Sequence, residues 1–377
     1  MQIATYKYKL VPNSKVSEKF DQWIGTCRCI YNLALETKIY AYKAHQLSLS
    51  KFDLIKQLPE LKKEHSWMKD VHSQTLQDVI ERMDLSYQSF FRGGGFPKWA
   101  KKDSYRSFAF KQRVKVVSNH VYLPKIGKVK FRKSREMVGT LKRTTIVKEA
   151  DGYYICFSCE VQITPKASNE NQVGIDLGVA HFVAISKGDL YDSNQALKNH
   201  LSALRVEQRS LARKKKFGSN WYKQKERVAR LHLKVKRVRK DHHHKLSSQL
   251  IDQHGVLVLE DLKLKNMTRS SKGSIDEPGK RVKAKSGLNR SILDAGMGMF
   301  GAMLEYKAQW YGRTIVKVDP KYTSQECTAC GYINKENRKG VYFKCTSCGH
   351  EDHADVNAAK NILARASASG SKRKAVA

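Results

Sequence analysis

Along the chain the hydrophobic rhythm changes period several times. Residues 4–10, ATYKYKL, set Ala4, Tyr6, Tyr8 and Leu10 on one face and Thr5, Lys7 and Lys9 on the other, the period of a half-buried strand. From about Lys15 the apolar positions recur at helical spacing, and Phe20, Trp23, Ile24, Ile30 and Leu33 predict the inward face of a long helix. Helical patterning continues through SKFDLIKQLPELKKEHSWMKDVHSQTLQDVIERMDLSYQSFFR, with Ser73 the expected N-cap of the last helix. GGGFPKWAKKDSYRSFAF breaks it with glycines, a proline and interleaved basic and aromatic residues. HVYLPKIGKVKF and TTIVKEADGYYICFSCEVQI then read as hairpins, the second turning at Ala150-Asp151-Gly152. The simplest assembly is a β-barrel from residues 1–12 and 113–165, carrying an inserted helical domain at 13–112 and closed by the polar linker ITPKASNENQ.

The second half opens on an apolar strand-turn-strand, VGIDLGVAHFVAIS. A basic helical region follows over about 194–250, then a buried-type strand, GVLVLEDL, and a polar loop, TRSSKGSIDEPGKRVKAKSG. One helix, SILDAGMGMFGAMLEYKAQWYG, and another strand, RTIVKVDP, come next. Strands alternating with helices predict an α/β domain, over 172–319 and 350–365. Residues 366–377 are low-complexity and basic and read as a disordered tail. The expected fold class is α+β and multidomain.

A length of 377 residues allows two or three domains. A hydrophobic fraction of 41% excludes a disordered chain even at a mean hydropathy of -0.57. Charge changes the picture most: 71 Lys and Arg against 35 Asp and Glu give a formal +36, which calls for a polyanionic partner, nucleic acid first. Sixteen cations against Glu207, Glu226 and Asp241 in residues 201–250, Lys214, Lys215 and Lys216 among them, suit a channel for nucleic-acid backbone. No apolar run approaches the roughly 20 residues of a spanning helix, so no membrane role is expected. The opening MQIATYKYKLVPN alternates and does not read as a signal peptide, so the cytoplasm is the expected location.

Eight Cys in a reducing compartment point to metal or core use. Cys327 and Cys330, then Cys345 and Cys348, form two Cys-x2-Cys pairs, each followed by Gly. Such turns offer two sulfurs to one ion, and four thiolates close a tetrahedral, structural Zn²⁺ site, a zinc ribbon over 320–349. Its binding energy, roughly 10–16 kcal/mol, would be folding energy for that lobe. Cys27, Cys29, Cys156 and Cys159 lack such a partner pair and are expected to pack in the core. The run His242 to His244 is expected to be solvated or backbone-contacting, because consecutive helical residues point in different directions.

Asp176 interrupts an apolar strand, and a buried acid is costly unless a cation compensates it. Glu260 raises the same problem at a strand end, where Asp261 would point to the opposite face. Asp355 opens a helix, as a ligand or as an N-cap, with Asp352 a competing ligand. Acids on a first strand, a later central strand and a late helix start are the layout of an RNase H-like nuclease. Such a site holds two Mg²⁺ ions roughly 3.5–4 Å apart.

VGIDLGVAHFVAIS, VLVLEDLKLKNM, GLNRSILDAGMGMF, DPKYTSQECTACG and HADVNAAKNIL, in that order, resemble the TnpB family of insertion-sequence proteins. The resemblance implies an RNA-guided DNA endonuclease with a single RuvC-like site, a guide RNA derived from the transposon end, and double-stranded target DNA beside a short motif read by the protein. It also implies that Asp176, Glu260 and Asp355 are the catalytic metal ligands, with Asp355 preferred over Asp352 by the pattern Asp-x-Asn-Ala-Ala, and that the four Cys of the two pairs bind zinc. Met297 stands where many relatives carry Trp, a packing change. A guided DNA-binding regulator without cleavage and a guide-independent transposase-type protein are the alternatives. Phe91, Arg92, Lys98 and Trp99 are candidate contacts to unpaired bases and phosphates, as are Phe90, Phe96, Lys101, Tyr105, Arg106 and Phe108 around them. Gln74 and Gln77, on one face near a helix start, are candidate readers of adenine edges.

Overall fold

The computed structural model describes residues 2–373, which fall into two compact units, Met1–Gln162 and Ile163–Ala377. Among the described residues no helix is long and apolar enough to cross a membrane.

In the first unit β1 (Gln2–Val11) leads into α1 (Ser14–His45), where Asn13 Oδ1 caps the helix by accepting from Val16 N at 2.9 Å. Phe20, Trp23, Ile24 and Ile30 are buried as their spacing predicts; Leu33 is half-buried, and Cys27 and Leu35 lie deeper. Three further helices are α2 (Lys51–Lys56), α3 (Leu58–Glu64) and α4 (Ser73–Phe91). Ser73 is not the cap of α4. The His72 carbonyl already accepts from Thr75 N at 2.9 Å, so the helix starts one residue early, and Ser73 Oγ accepts from Lys62 Nζ instead.

The strands β2 (Ser107–Phe110), β3 (Lys115–Val117), β4 (His120–Leu123), β5 (Gly127–Arg132), β6 (Thr140–Glu149) and β7 (Gly152–Val161) join β1 in one antiparallel sheet, ordered β2-β6-β7-β1-β5-β4-β3. Both expected hairpins are present, and Gly152 takes φ +128 at the turn between β6 and β7. One strand departs from expectation: β2 lies within the 13–112 span read as helical. It pairs with β6, and Phe108 packs 5.3 Å from the Trp23 ring, fully buried in the core and closed to any base. Cys27 and Cys159 are core residues, whereas Cys29 is exposed and does not pack as expected.

The second unit carries β8 (Gln172–Asp176), β9 (Val183–Ile185), β10 (Leu190–Tyr191), α5 (Ala196–Ala212), α6 (Ser219–Gln253), β11 (Val256–Glu260), α7 (Leu264–Met267), α8 (Val282–Ala295), α9 (Met297–Tyr311) and β12 (Thr314–Val318). A small sheet, β13 (Arg338–Lys339), β14 (Tyr342–Lys344) and β15 (Glu351–His353), runs straight into α10 (Ala354–Arg373). The expected tail from 366 therefore begins within α10, and 374–377 lie outside the described residues. The main sheet is ordered β10-β9-β8-β11-β12, with β8, β11 and β12 parallel and β9 and β10 antiparallel.

Alternation along β8 and β11 sends Val173, Ile175, Leu257 and Leu259 toward Leu250, Ile251, Ile292, Phe300 and Leu304 on α6, α8 and α9. Each such side chain stabilises the fold by roughly 1.5–3 kcal/mol on burial. The other face sends Val258 toward Ile362 of α10. The single helix expected over 291–312 is two. Gly296 takes φ +70 between α8 and α9, and a Cβ there would sit 2.9 Å from Arg239 Cδ. Met297 fills the core beside that break. His243 is not solvated: it is buried and bonds the backbone of Ala295. It lies on the stripe of α6 that carries Leu246 and Leu250, stacks on Phe182 at 4.7 Å, and is pushed down to about 4 by burial.

Gly174 fixes how close α10 lies to β8: a Cβ there would stand 2.0 Å from the Ala359 carbonyl oxygen. Gly174→Ala is expected to cost about 1–3 kcal/mol through overpacking, read as a lower denaturant midpoint at unchanged slope.

Candidate active site

Asp176 ends β8 and Glu260 ends β11, and parallel neighbours bring their carboxyl ends to one edge of the sheet. Asp355 stands in the first turn of α10, which packs across β8. All three line one cavity of about 270 Å³, together with Gly178, Thr323 and Arg338. Asp355 is 5% exposed and accepts from Arg338 Nη2 at 2.7 Å. Glu260 Oε1 accepts from Thr323 Oγ1 at 2.5 Å.

The electrostatics are those of a site short of positive charge. Burial first, then the charges of Glu260 and Asp355, push the Asp176 carboxyl up to about 7 against the pull of Arg338. Burial likewise raises Glu260, opposed by the Thr323 hydroxyl. Three hard oxygen donors facing one guanidinium fit divalent cations. His181, His353 and Asp355 also bring one potential ligand atom each within 4.8 Å of the others, and His181 Nδ1 lies 2.8 Å from Asp192 Oδ1.

The competing acids point elsewhere. Asp352 Oδ2 accepts from Lys360 Nζ at 2.7 Å, and Asp261 Oδ2 from Lys263 Nζ; neither lines the cavity.

The four Sγ atoms of Cys327, Cys330, Cys345 and Cys348 lie within 4.8 Å of one another, with Cys327 and Cys348 at 3.7 Å and Cys330 and Cys345 at 3.6 Å. The backbone N–H groups of Cys348 and Ser347 hold the Cys345 thiol well below its ordinary value, while Cys327, by burial, and Cys330, by its neighbouring cysteines, are pushed up, so the cluster shares its protons until a cation replaces them. Each knuckle is braced alike. Thr328 N and Oγ1 donate to Asn357 Oδ1, and Thr346 N and Oγ1 donate to Asn337 Oδ1. Asn357 and Asn361 of α10 donate in turn to the Glu326 carbonyl at 2.8 and 2.7 Å. The cysteine lobe is thus tied to the helix that carries Asp355.

Sequence reasoning missed Arg338, Thr323, Asn357 and Asn361. Thr323 and the two Asn lie inside DPKYTSQECTACG and HADVNAAKNIL, so their segments were visible; Arg338 had no signal.

Of the expected nucleic-acid contacts, Lys214, Lys215 and Lys216 are exposed in the segment between α5 and α6. Phe91 and Trp99 are 76% and 51% exposed, beside exposed Arg92 and Lys98. Gln74 and Gln77 are half-buried on α4, and Gln74 Nε2 donates to Gln112 Oε1 at 3.1 Å.

Residues 154–271 match the family described as "Probable transposase" (OrfB of IS605), 298–362 match "Cas12f1-like, TNB domain", and 1–46 match "Helix-turn-helix domain". The chain is 35% identical over 370 residues to "Putative RNA-guided DNA endonuclease InsQ" of Escherichia coli (strain K12), covering 96% of this chain and 92% of that protein. It is 29% identical to "Putative RNA-guided DNA endonuclease" of Streptomyces pristinaespiralis, over 95% of this chain and 88% of that one. Its fold resembles that of the protein in "Cryo-EM structure of the Cas12f1-sgRNA-target DNA complex", at a TM-score of 0.57 and 17% identity, over 94% of this chain and 83% of that one. The matches place the chain among insertion-sequence proteins that carry a Cas12f1-like segment. This chain belongs to the IS605 OrfB family, also called TnpB.

Asp176 ionises near 3.8 in the unfolded chain and near 7 in the folded, metal-free one. The folded state therefore bears a cost that is absent below 3.8, grows as the pH rises toward 7, and is complete above it. In chelator, Asp176→Asn should unfold at a higher temperature than wild type, by a wider margin at pH 8 than at pH 5. A margin that stays flat with pH would show that Asp176 does not carry this cost.

Proposed function

We propose that this chain is an RNA-guided DNA endonuclease of an insertion sequence, cutting target DNA beside a short motif at a single site made by Asp176, Glu260 and Asp355. The observation that carries the reading is the convergence of three largely buried carboxylates, one of them raised to about 7, on a cavity with Arg338 as its one cationic lining residue. The strand order β10-β9-β8-β11-β12, antiparallel then parallel, supports an RNase H-like (RuvC) nuclease domain over 172–319 and 350–365. The antiparallel sheet of the first unit, which takes in β2, supports a wedge-like barrel from 1–12 and 107–165 carrying the inserted helices of 13–106, and the two cysteine knuckles support a zinc ribbon at 320–349.

In this reading Asp176, Glu260 and Asp355 hold two Mg²⁺ ions, which when bound activate water and stabilise the leaving 3′ oxygen of the phosphodiester. Thr323 holds the Glu260 carboxylate in place, and Arg338 orients Asp355 and offsets charge in the cavity. One Zn²⁺ on Cys327, Cys330, Cys345 and Cys348 is structural. The guide RNA and the double-stranded target are held through phosphates by the basic helices α5 and α6, with Lys214, Lys215 and Lys216 at their junction. Phe91 and Trp99 stack on unpaired bases beside Arg92 and Lys98, and Gln74 and Gln77 read the motif.

Protein expressed with its native flanking DNA should retain a discrete RNA with a constant 5′ part, and should cut a matched duplex in Mg²⁺. Asp176→Ala should keep the RNA and lose cutting by at least about a thousandfold. Retained cutting would remove Asp176 from the site; RNA and target binding by a wild type that never cuts would instead make the chain a guided regulator. Elemental analysis should find one zinc per chain, and Cys345→Ala should lose it and lower the thermal midpoint.

A further inference from the structure

The cavity of the three carboxylates shares Val179 with a second cavity of about 400 Å³. That volume lies in the roughly 300–1,000 Å³ range of small-ligand pockets, room for a nucleotide and not for a duplex. Its wall includes Lys198 of α5 and Gly287, Arg290, Ser291 and Asp294 of α8. Lys198 and Arg290 are exposed, and among the described residues neither pairs with a carboxylate. Asp294 is the one acid of the wall, and it is already committed. Its carboxylate accepts from Leu197 N at 3.0 Å, from Lys198 N at 3.3 Å and from Arg239 Nη2 at 2.7 Å. The two cations thus face the cavity without a competitor.

Gly287 on the same wall leaves the approach open. It lies inside α8, where glycine is the poorest choice short of proline. A Cβ at Gly287 would meet no atom within 4 Å, so nothing in the protein itself requires the missing side chain. The open space there, as at Gly25 and Gly301 in their own helices, leaves room for another chain to lie close to the helix.

We infer that this second cavity is the path of the single DNA strand flanking the scissile phosphate. Lys198 and Arg290 hold one phosphate next to the cut, and Gly287 lets the sugar–phosphate backbone lie against α8. The inference rests on the triad being the nuclease site, and it assigns the bound strand a direction past Val179 toward α8.

The test uses the full-length, RNA-loaded protein and matched target duplexes carrying one uncharged methylphosphonate at successive linkages around the cut. For wild type, one linkage close to the cut should lower kcat/KM by about tenfold, the worth of a charge-assisted contact. The double variant Lys198→Gln, Arg290→Gln should start about tenfold lower, and the same neutral linkage should then cost it no more than about twofold, since the contact is already gone. Gly287→Leu should keep or raise the thermal midpoint while losing cutting. An undiminished linkage penalty in the double variant, or cutting at the wild-type rate, overturns the strand path and leaves the triad standing. A Gly287→Leu chain that loses its midpoint makes that glycine structural and counts against a strand lying on α8. A wild type that cuts no target at all overturns the nuclease reading and this inference with it.

Discussion

Burial of three carboxylates in one cavity is the constraint around which the second unit is arranged. Burial raises Asp176 and Glu260 toward the protonated form. These two are fixed by the parallel pairing of β8 with β11, which leaves their side chains no choice of edge. The third is brought in by α10, and the approach is close because Gly174 offers no side chain where the Ala359 carbonyl comes down on the strand. Apolar packing on both faces of the sheet holds this arrangement against the charge, so the raised Asp176 is a cost the core offsets.

The cysteine lobe belongs to the same construction. β15 passes into α10 without a linker, Arg338 of the lobe reaches Asp355, and Asn357 of the helix braces the first knuckle through Thr328. Arg365 further along α10 bonds Glu326 Oε2 at 2.6 Å and the Asp319 carbonyl at 2.8 Å. Order in the knuckles is therefore order at the third acid, which explains why two Cys pairs stand directly ahead of Asp352 and Asp355 in the chain.

The relation to the Cas12f1 fold at 17% identity shows how little of the sequence the architecture demands. What the architecture does demand is legible in particular residues. The strands at β8, β11 and β12 could be read from apolar runs, the paired cysteine knuckles from Cys spacing and glycine, and the three carboxylates of one cavity from acids placed where acids are expensive. Errors came where a residue's role depends on what lies across from it. Ser73 looks like a cap until the His72 carbonyl begins the helix first. His243 looks polar until Phe182 and Phe300 close over it. Phe108 reads as one of a basic-aromatic cluster, yet β2 carries it into the core against Trp23.

By itself, then, the sequence determined the periods, the charge, the ligand types and their order along the chain, because these are properties of neighbours in the chain. The guanidinium that meets Asp355, the bracing of each knuckle by an asparagine, and the cavity beside Val179 were decided by tertiary structure. Each of those depends on groups such as Arg338 and Asn357, or Asp294 and Leu197, that only folding brings within hydrogen-bonding distance. Local pattern carries no information about such distances, and close packing of α10 on β8 is what sets them.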